Sequence, residues 1–359
     1  MSKIKVVHYT KNLTYAGTDR VAQTICKCLN KDKYDVYMLY RDCGQLERKK
    51  YVEKILGKDK VIPHHYVFGD NIAPYYPKED NFFDVLKKIN PNIIHVHRSG
   101  HSEYPFLPNI QSNELKNYKF VEHHIFAEFD QFLWDSRIFI CDYIRRKCNY
   151  TLGPLDSVIN NPVEKPPKKR EYRDNKTVIL GRIGRPDNFC SISLDAIKIL
   201  IDRGIKNFKY WIVNPCDGWR KKVEELKLKD YCTFIDPIYS DEELQEFFNQ
   251  IDILAHARSD GEINSLSISQ AQINGVPVVT HYSPCYNGQA EQVKNGLGFI
   301  TKWNNPEIYA SLLYMLLTDP AKRNLMGKQA QEWALKNIEA SIIVKRIEDV
   351  YERIMKGVD

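Results

Sequence analysis

The strongest constraint on this chain is an alternation that runs twice. Short apolar runs of strand length are each followed by amphipathic stretches of helix length, the pattern of parallel strands joined by crossover helices. Residues 5–9 (KVVHY), 34–40, 92–96, 120–122 and 137–141 read as strands, with a helix over 18–29 and another ending at Ile89 before Pro91. The texture then changes: residues 161–176, NPVEKPPKKREYRDNK, are rich in Pro and charge and read as an interdomain linker. Beyond it the alternation restarts, with strands expected at 177–180, 208–213, 232–235, 251–256 and 277–280. Helices are expected at 193–203, 219–227, 241–249 and 265–274. Ser240 and Glu243 form a capping box, and the tail 306–356 reads as almost wholly helical. The expectation is α/β, two Rossmann-like doubly wound domains facing across a cleft: residues 1–162, then 163–340, with the last helix, 341–359, packing back on the first.

Composition narrows the class. A chain of 359 residues, 43% hydrophobic and 27% charged, has the length of two domains and the balance of a soluble globular protein. The longest apolar-looking run, 309–317, is far short of the ~18 residues of a spanning helix. The N-terminus enters a strand pattern at once, which reads as a chain without a signal peptide. Nine scattered cysteines then read as reduced thiols in the cytoplasm. Cys26-x-Cys28 lacks a second pair at zinc-site spacing, and on a helix the two point to different faces. The net charge is +6, of which +5 lies in residues 1–160. Without a dense basic stripe this excludes a nucleic-acid partner, while a mildly basic first half suits peripheral contact to an anionic membrane surface, an anionic acceptor or, more commonly, an ordinary solvated surface.

In doubly wound sheets ligands bind beyond the carboxyl ends of strands, so the loops that follow strands carry the functional reading. Gly17, in YAGTDR, precedes a helix whose N-terminus attracts negative charge; a plain strand–turn–helix reads the same way. Gly181-Arg-Ile-Gly-Arg185 sets Arg182 and Arg185 beside glycines, an arrangement suited to phosphate, though not the glycine spacing of a nicotinamide fingerprint. Arg258-Ser-Asp-Gly-Glu-Ile-Asn-Ser-Leu266 leads into a helix; Asn264 or Ser265 is an N-cap, and the first-turn amides form an anion site. Glu262 there either fixes a ligand hydroxyl or complements the helix dipole. Four histidines end two strands: His95 and His97 share a face by period two, and His123 and His124 follow. They could ligate a metal, but such histidines more often pack and hydrogen-bond at a cleft wall.

Together these residues resemble the retaining glycosyltransferases of the GT-B fold, the large family-four type (glycosyl transferases group 1). The resemblance spans nearly the whole chain and is most specific over 260–280, DGEINSLSISQAQINGVPVVT. Gly181-Arg182, Ala16-Gly17, Asn161-Pro162-Val163 and Glu291…Asn295-Gly296-Leu297-Gly298 match further family segments. It implies a sugar transferase with a nucleoside-diphosphate sugar as donor, a glycan or glycolipid acceptor, and no metal or other cofactor. Gly17 and Arg182, with Arg185 in support, then hold the diphosphate. Glu262 holds a donor-sugar hydroxyl, and the amides near Asn264, Ser265 and Leu266 hold the distal phosphate. His124 lies near the transferred sugar, and position 270 holds the ribose. The chain departs from the family in two places: the second family Glu is Gln270, and the lysine expected after Gly-Arg is replaced by Asn188, Phe189 and Cys190. An amide has one acceptor oxygen where a carboxylate has two. A non-catalytic relative that binds a nucleotide or sugar, and a nucleotide-sugar epimerase, are the rival readings. Base, sugar, acceptor and oligomeric state are not legible in the sequence.

Overall fold

A computed structural model describes residues 2–41, 45–68, 77–98, 104–106, 115–126, 128, 132–168, 170–172, 177–185 and 187–357. It divides into two compact units, Met1–Pro162 with Ala340–Asp359, and Val163–Glu339. The first unit runs β1 (Ile4–Thr10), α1 (Gly17–Cys28), β2 (Tyr34–Arg41), α2 (Lys49–Leu56), β3 (Val61–His64), β4 (Tyr66–Phe68), β5 (Pro77–Asp80) and α3 (Phe82–Ile89). It continues through β6 (Ile93–Arg98), β7 (Lys119–His124), β8 (Ser136–Phe139), α4 (Asp142–Lys147) and β9 (Ser157–Val158). Its main sheet has seven strands in the order β3-β2-β1-β6-β7-β8-β9, every pair parallel. Val7, Tyr9, Ile94, Val96 and Phe120 pack on one face with Phe82, Leu86 and Ile89 of α3.

The second unit contributes β10 (Val178–Arg182), α5 (Ile192–Asp202), β11 (Phe208–Val213), α6 (Asp217–Glu225), β12 (Cys232–Ile235), α7 (Asp241–Gln250), β13 (Ile253–Ala255), β14 (Gly261–Glu262) and α8 (Leu266–Ile273). β15 (Val278–His281), β16 (Tyr286–Asn287), α9 (Gln289–Val293), β17 (Phe299–Thr301), α10 (Pro306–Thr318) and α11 (Pro320–Asn337) complete it. Its six-stranded sheet runs β12-β11-β10-β13-β15-β17, again parallel throughout. Leu180, Tyr210, Ile212, Ile253, Ala255 and Val279 form one buried face against Leu194, Ile197 and Leu200 of α5 and Tyr309, Leu313 and Leu316 of α10.

The last helix, α12 (Ala340–Lys356), belongs to the first unit. The amide of Asn30 donates to Glu348 Oε1 at 2.9 Å, and Lys33 pairs with Glu352. The tail 306–356 is helical as expected, in three helices, α10, α11 and α12. Asp319 ends α10 and caps α11, its carboxylate accepting from the Lys322 amide at 2.8 Å with Pro320 at the first helical position. The capping box at Ser240 and Glu243 is present. The strand expected at 137–141 ends two residues early, because Asp142 opens α4. β3 escapes a periodicity reading because it contains Pro63, which an edge strand tolerates. The stretch 161–176 is not a free linker over its described part. Val163 donates to Ile338 O at 3.0 Å, and Arg170 reaches the carbonyls of Phe248 and Ile251 at 2.9 and 2.6 Å. Cys43 and residues 173–176 lie outside the described residues. Among those described, no helix is long and apolar enough to cross a membrane.

His64 makes this fold acid-sensitive. It is buried, hydrogen-bonded to Tyr9 OH at 3.0 Å and set edge-on to Phe82. Burial, aided by the charges of Arg41 and His65, depresses its pKa to about 3. The unfolded chain therefore takes up a proton near pH 6.5 that the native state refuses until about pH 3. This contribution costs nothing above pH 6.5 and destabilises as pH falls below it, by about 1.4 kcal/mol per pH unit. Denaturant unfolding between pH 6 and 4.5 should show that slope shrink by this amount in His64→Gln; an unchanged slope would contradict the assignment.

Candidate functional site

β10, β13 and β15 lie side by side and point the same way, so the loops that follow them leave from one end of the second sheet. After β10, the Arg182 side chain is 2% exposed. Its guanidinium donates to three main-chain carbonyls: Asn188 at 2.7 Å, Arg185 at 3.3 Å and Val213 at 3.5 Å. It also stacks 4.7 Å from the Trp219 ring. Arg182 forms no ion pair among the described residues. Burial pulls its pKa down, a penalty only partly opposed by neighbours that include Glu262. A guanidinium has five donors, so this one keeps spare hydrogen-bonding capacity and an uncompensated charge. Arg185, by contrast, is exposed, 3.8 Å from Asp187.

The glycine before Arg182 has a packing reason. A Cβ on Gly181 would lie 2.7 Å from Ile251 and 2.9 Å from the Phe247 ring, so α7 and its C-terminal residue require a glycine there. The resemblance ties Gly181-Arg182 to phosphate; in the structure the arginine faces the loop while the glycine serves the core.

After β13, Arg258 holds two carboxylates at once. Its Nε and one Nη bond Asp260 at 2.6 and 3.0 Å, and the other Nη bonds Glu262 Oε2 at 3.0 Å. On the far oxygen of Glu262 lie His256 Nε2 at 3.5 Å and the Ser265 hydroxyl at 3.3 Å. His256 is in turn fixed through Nδ1 by Thr280 of β15 at 2.8 Å. Burial alone raises the pKa of Glu262, but the hydrogen bonds from His256 and Arg258, with their charges, bring it below the ordinary carboxylate value. Three donors approach a carboxylate with about four acceptor sites, which leaves room for one more. Gly261, at φ +72°, sits where a Cβ would fall 1.8 Å from the Tyr286 carbonyl; a residue without a side chain is what lets β14 pair with β16.

Ser265 is the N-cap residue of α8, yet its hydroxyl does not cap the helix; it bonds Glu262 and Ser267 instead. Nor is its amide available to a phosphate, as the resemblance implies. Gln292 of α9 accepts from the Ser265 amide at 2.8 Å and donates to its carbonyl at 3.0 Å. The first-turn donors left without a side-chain cap start at Leu266. Gln270 is half-buried one turn further on, and its side-chain amide makes no hydrogen bond among the described residues. Asn264 precedes the cap and is half-buried.

Two residues that hold this loop escaped the sequence reading. Gln289 accepts from the Glu262 amide at 3.0 Å and donates to the His281 carbonyl at 3.0 Å. Gln292 does the same service at Ser265. Their i,i+3 spacing on a short helix just before Asn295-Gly296 is the signal, legible only once α9 is known to lie against the start of α8.

The remaining candidates are in the first unit. Gly17 is the first residue of α1, and the loop before it is fixed by Asp19, which accepts from the Thr14 amide at 3.1 Å and from the Thr14 hydroxyl at 2.5 Å. Burial raises the Asp19 pKa to about 6. His124 ends β7 and is buried, its Nδ1 3.2 Å from Glu122 Oε2, a carboxylate also held by Arg137 at 2.9 Å. His123 points to the opposite face of the strand, among His95 and His97.

Residues 164–333 match the family described as "Glycosyl transferases group 1". No curated protein matches the chain. Among solved structures, a glycosyltransferase from Rickettsia africae is similar over 100% of both chains, at 17% identity and a TM-score of 0.75. Anabaena Alr3699/HepE, solved in complex with UDP and glucose, is similar over 97% of this chain and 99% of its own, at 16% identity and a TM-score of 0.75. The pneumococcal O-GlcNAc transferase GtfA, in complex with UDP and GlcNAc, is similar over 99% of this chain and 100% of its own, at 10% identity and a TM-score of 0.74. The fold is GT-B, two Rossmann-like sheets, as the sequence resemblance implies.

Arg258→Ala should strip Glu262 of its closest partner and lower stability by about 2–3 kcal/mol, below the cost for a fully buried pair because Arg258 is partly exposed. Chemical denaturation reads this directly. A loss under about 0.5 kcal/mol, the scale of a surface pair, would mean that the contact does not hold the loop.

Proposed function

We propose that the chain is a glycosyltransferase that moves a sugar from a nucleoside diphosphate to an acceptor hydroxyl with retention of anomeric configuration, without a metal at the donor. The observation that carries this reading is Arg182: a buried guanidinium with no ion pair among the described residues, at the carboxyl end of β10, in the segment that matches the group 1 family. A diphosphate supplies the missing negative charge. The uncapped first turn of α8, from Leu266, offers further donors to the distal phosphate, with Arg185 at the loop's exposed edge. Glu262, with one acceptor site left, takes a hydroxyl of the donor sugar, and Gln270 takes the ribose. The UDP complexes of structurally similar proteins support a nucleotide-sugar donor.

In the reaction, the bond from the anomeric carbon to the phosphate oxygen breaks and a bond from that carbon to the acceptor oxygen forms. The acceptor proton passes to the departing diphosphate on the same face. Charge grows on the diphosphate as it leaves, so Arg182 and the helix amides act most strongly in the transition state. Gly17 gives its amide to the diphosphate and His124 stands near the transferred sugar; the acceptor, a glycan or glycolipid, binds the first unit. A cytoplasmic enzyme at a membrane surface fits the basic first half. A binding protein without transfer activity is the second reading, favoured by Gln270 in place of a carboxylate. Turnover of a donor that demonstrably binds separates the two.

Arg182→Ala should weaken nucleoside diphosphate binding by about 2–4 kcal/mol in calorimetry and leave a nucleoside without phosphates nearly unaffected. Equal losses for both ligands would remove Arg182 from the phosphates. Gln270→Glu should tighten a nucleoside diphosphate roughly five-fold, since the added charged acceptor outweighs its desolvation and its repulsion of the diphosphate. The gain should vanish with a 2′,3′-dideoxy analogue; unchanged affinity for both would take residue 270 out of the site. Millimolar magnesium or manganese should not change the transfer rate, and a rate that depends on either would refute the metal-free reading.

A further inference from the structure

The first unit buries an imidazole cluster that the proposed transfer reaction does not use. β1 and β6 are paired with His8 opposite His95 and Thr10 opposite His97. His95 and His97 are two apart on one strand, so all three rings project from the same face of the sheet. They are essentially inaccessible, at 0%, 0% and 1% exposure. His8 Nδ1 lies 2.9 Å from His97 Nε2, and one ligand nitrogen from each of the three rings lies within 4.8 Å of the others. From the next strand His123 lies against the group, its ring 5.0 Å from that of His97 and tilted to it by 34°.

A core that needed only volume would use leucine here. Instead His95 Nε2, His97 Nδ1 and His123 Nδ1 are buried with no hydrogen-bond partner among the described residues. Each such atom carries an unrecovered desolvation cost unless something satisfies it. Tyr351, arriving on α12, holds the outer nitrogens of two of these rings. Its oxygen is 2.6 Å from His95 Nδ1 and 3.4 Å from His8 Nε2. With His95 Nδ1 and His8 Nε2 turned to the phenol, His8 Nδ1 and His97 Nε2 share one hydrogen bond and His95 Nε2 has no partner among the described residues. A cation among the three rings would replace the proton shared by His8 and His97 and would give His95 Nε2 the partner it lacks. A hydrogen bond to the outer ring nitrogen is also the usual way in which a protein orients a metal-bound histidine.

We propose that His8, His95 and His97 bind one divalent transition-metal ion of the zinc type, with Tyr351 as the positioning residue. Neutral imidazoles without thiolate or carboxylate suit zinc, cobalt, nickel or copper and not magnesium or calcium. At metal–nitrogen bonds of about 2.0–2.1 Å, tetrahedral ligand atoms stand roughly 3.3 Å apart, so the His8–His97 pair opens by a few tenths of an ångström. The His95 and His97 rings now lie stacked at 4.3 Å and 28°, and one of them turns about its Cβ–Cγ bond to share the ion. The ion ties β1 and β6 together and, through Tyr351, secures a helix from the far end of the chain. None of these residues belongs to the proposed donor site, so the ion stabilises the first unit and takes no part in transfer.

The test is titration of metal-free full-length protein with cobalt(II), read by its visible ligand-field absorption, together with zinc titration read by melting temperature. One equivalent of cobalt should bind with a tetrahedral spectrum and no thiolate charge-transfer band, and zinc should raise the melting temperature. Tyr351→Phe, which keeps the ring, should weaken cobalt binding about 10–100-fold, the usual cost of losing a partner of a metal-bound histidine. His97→Gln should abolish it, and His281→Gln in the second unit should not change it. If His97→Gln fails to fold, Tyr351→Phe carries the decision. Less than a tenth of an equivalent bound, a thiolate band, or affinity unchanged in Tyr351→Phe would each overturn the proposal.

Discussion

Parallel pairing of β10 with β13, and of β13 with β15, is the constraint on which the candidate site depends. Strands that run the same way release their following loops at the same end, so segments far apart in sequence meet without any long-range instruction. Cys190 comes within 3.6 Å of His281, and the amide of Arg258 donates to the same imidazole at 3.2 Å. Burial holds that His281 ring neutral, with its pKa lowered to about 4, so it can accept at ordinary pH. Local hydrogen bonds then fix what topology has gathered.

The two arginines of this end show opposite electrostatic arrangements. Arg258 is compensated twice over, by Asp260 and Glu262, and its pKa rises despite partial burial. Its work is internal: it keeps Glu262 ionised and oriented. Arg182 is more deeply buried, and its hydrogen bonds among the described residues go to carbonyl dipoles, beside an aromatic face. Carbonyls orient a guanidinium without cancelling its charge. The desolvation cost of Arg182 is therefore offset only in part by the protein itself, which is the physical reason for expecting an anionic ligand beside it.

The sheets and their helices were legible because burial on both faces writes continuous apolar runs, such as 208–213 and 277–280, and because amphipathic helices carry their own period. What stayed hidden depends on contact rather than pattern. β3 is masked by Pro63, and β14 and β16 are two residues each. In the site, residue type pointed to Arg182 and Glu262, since charges after strands are conspicuous. It did not reveal that the Ser265 amide is taken, because the acceptor, Gln292, is 27 residues away and has no charge to announce it. Gly181 misleads in the other direction: a glycine beside an arginine suggests phosphate, while its reason is the approach of Ile251 and Phe247.

The proposed transfer requires that the first turn of α8 and Arg182 together bind a diphosphate. Residue-resolved hydrogen exchange at the amides of Leu266, Ser267 and Ile268, with and without a nucleoside diphosphate, tests it most directly. Those three amides have no side-chain cap, whereas the Ser265 amide is already bonded to Gln292. The account predicts that saturating ligand slows exchange at one or more of the three and leaves Ser265 unchanged. Exchange unaltered at all three, in protein that calorimetry shows to be saturated, would contradict it.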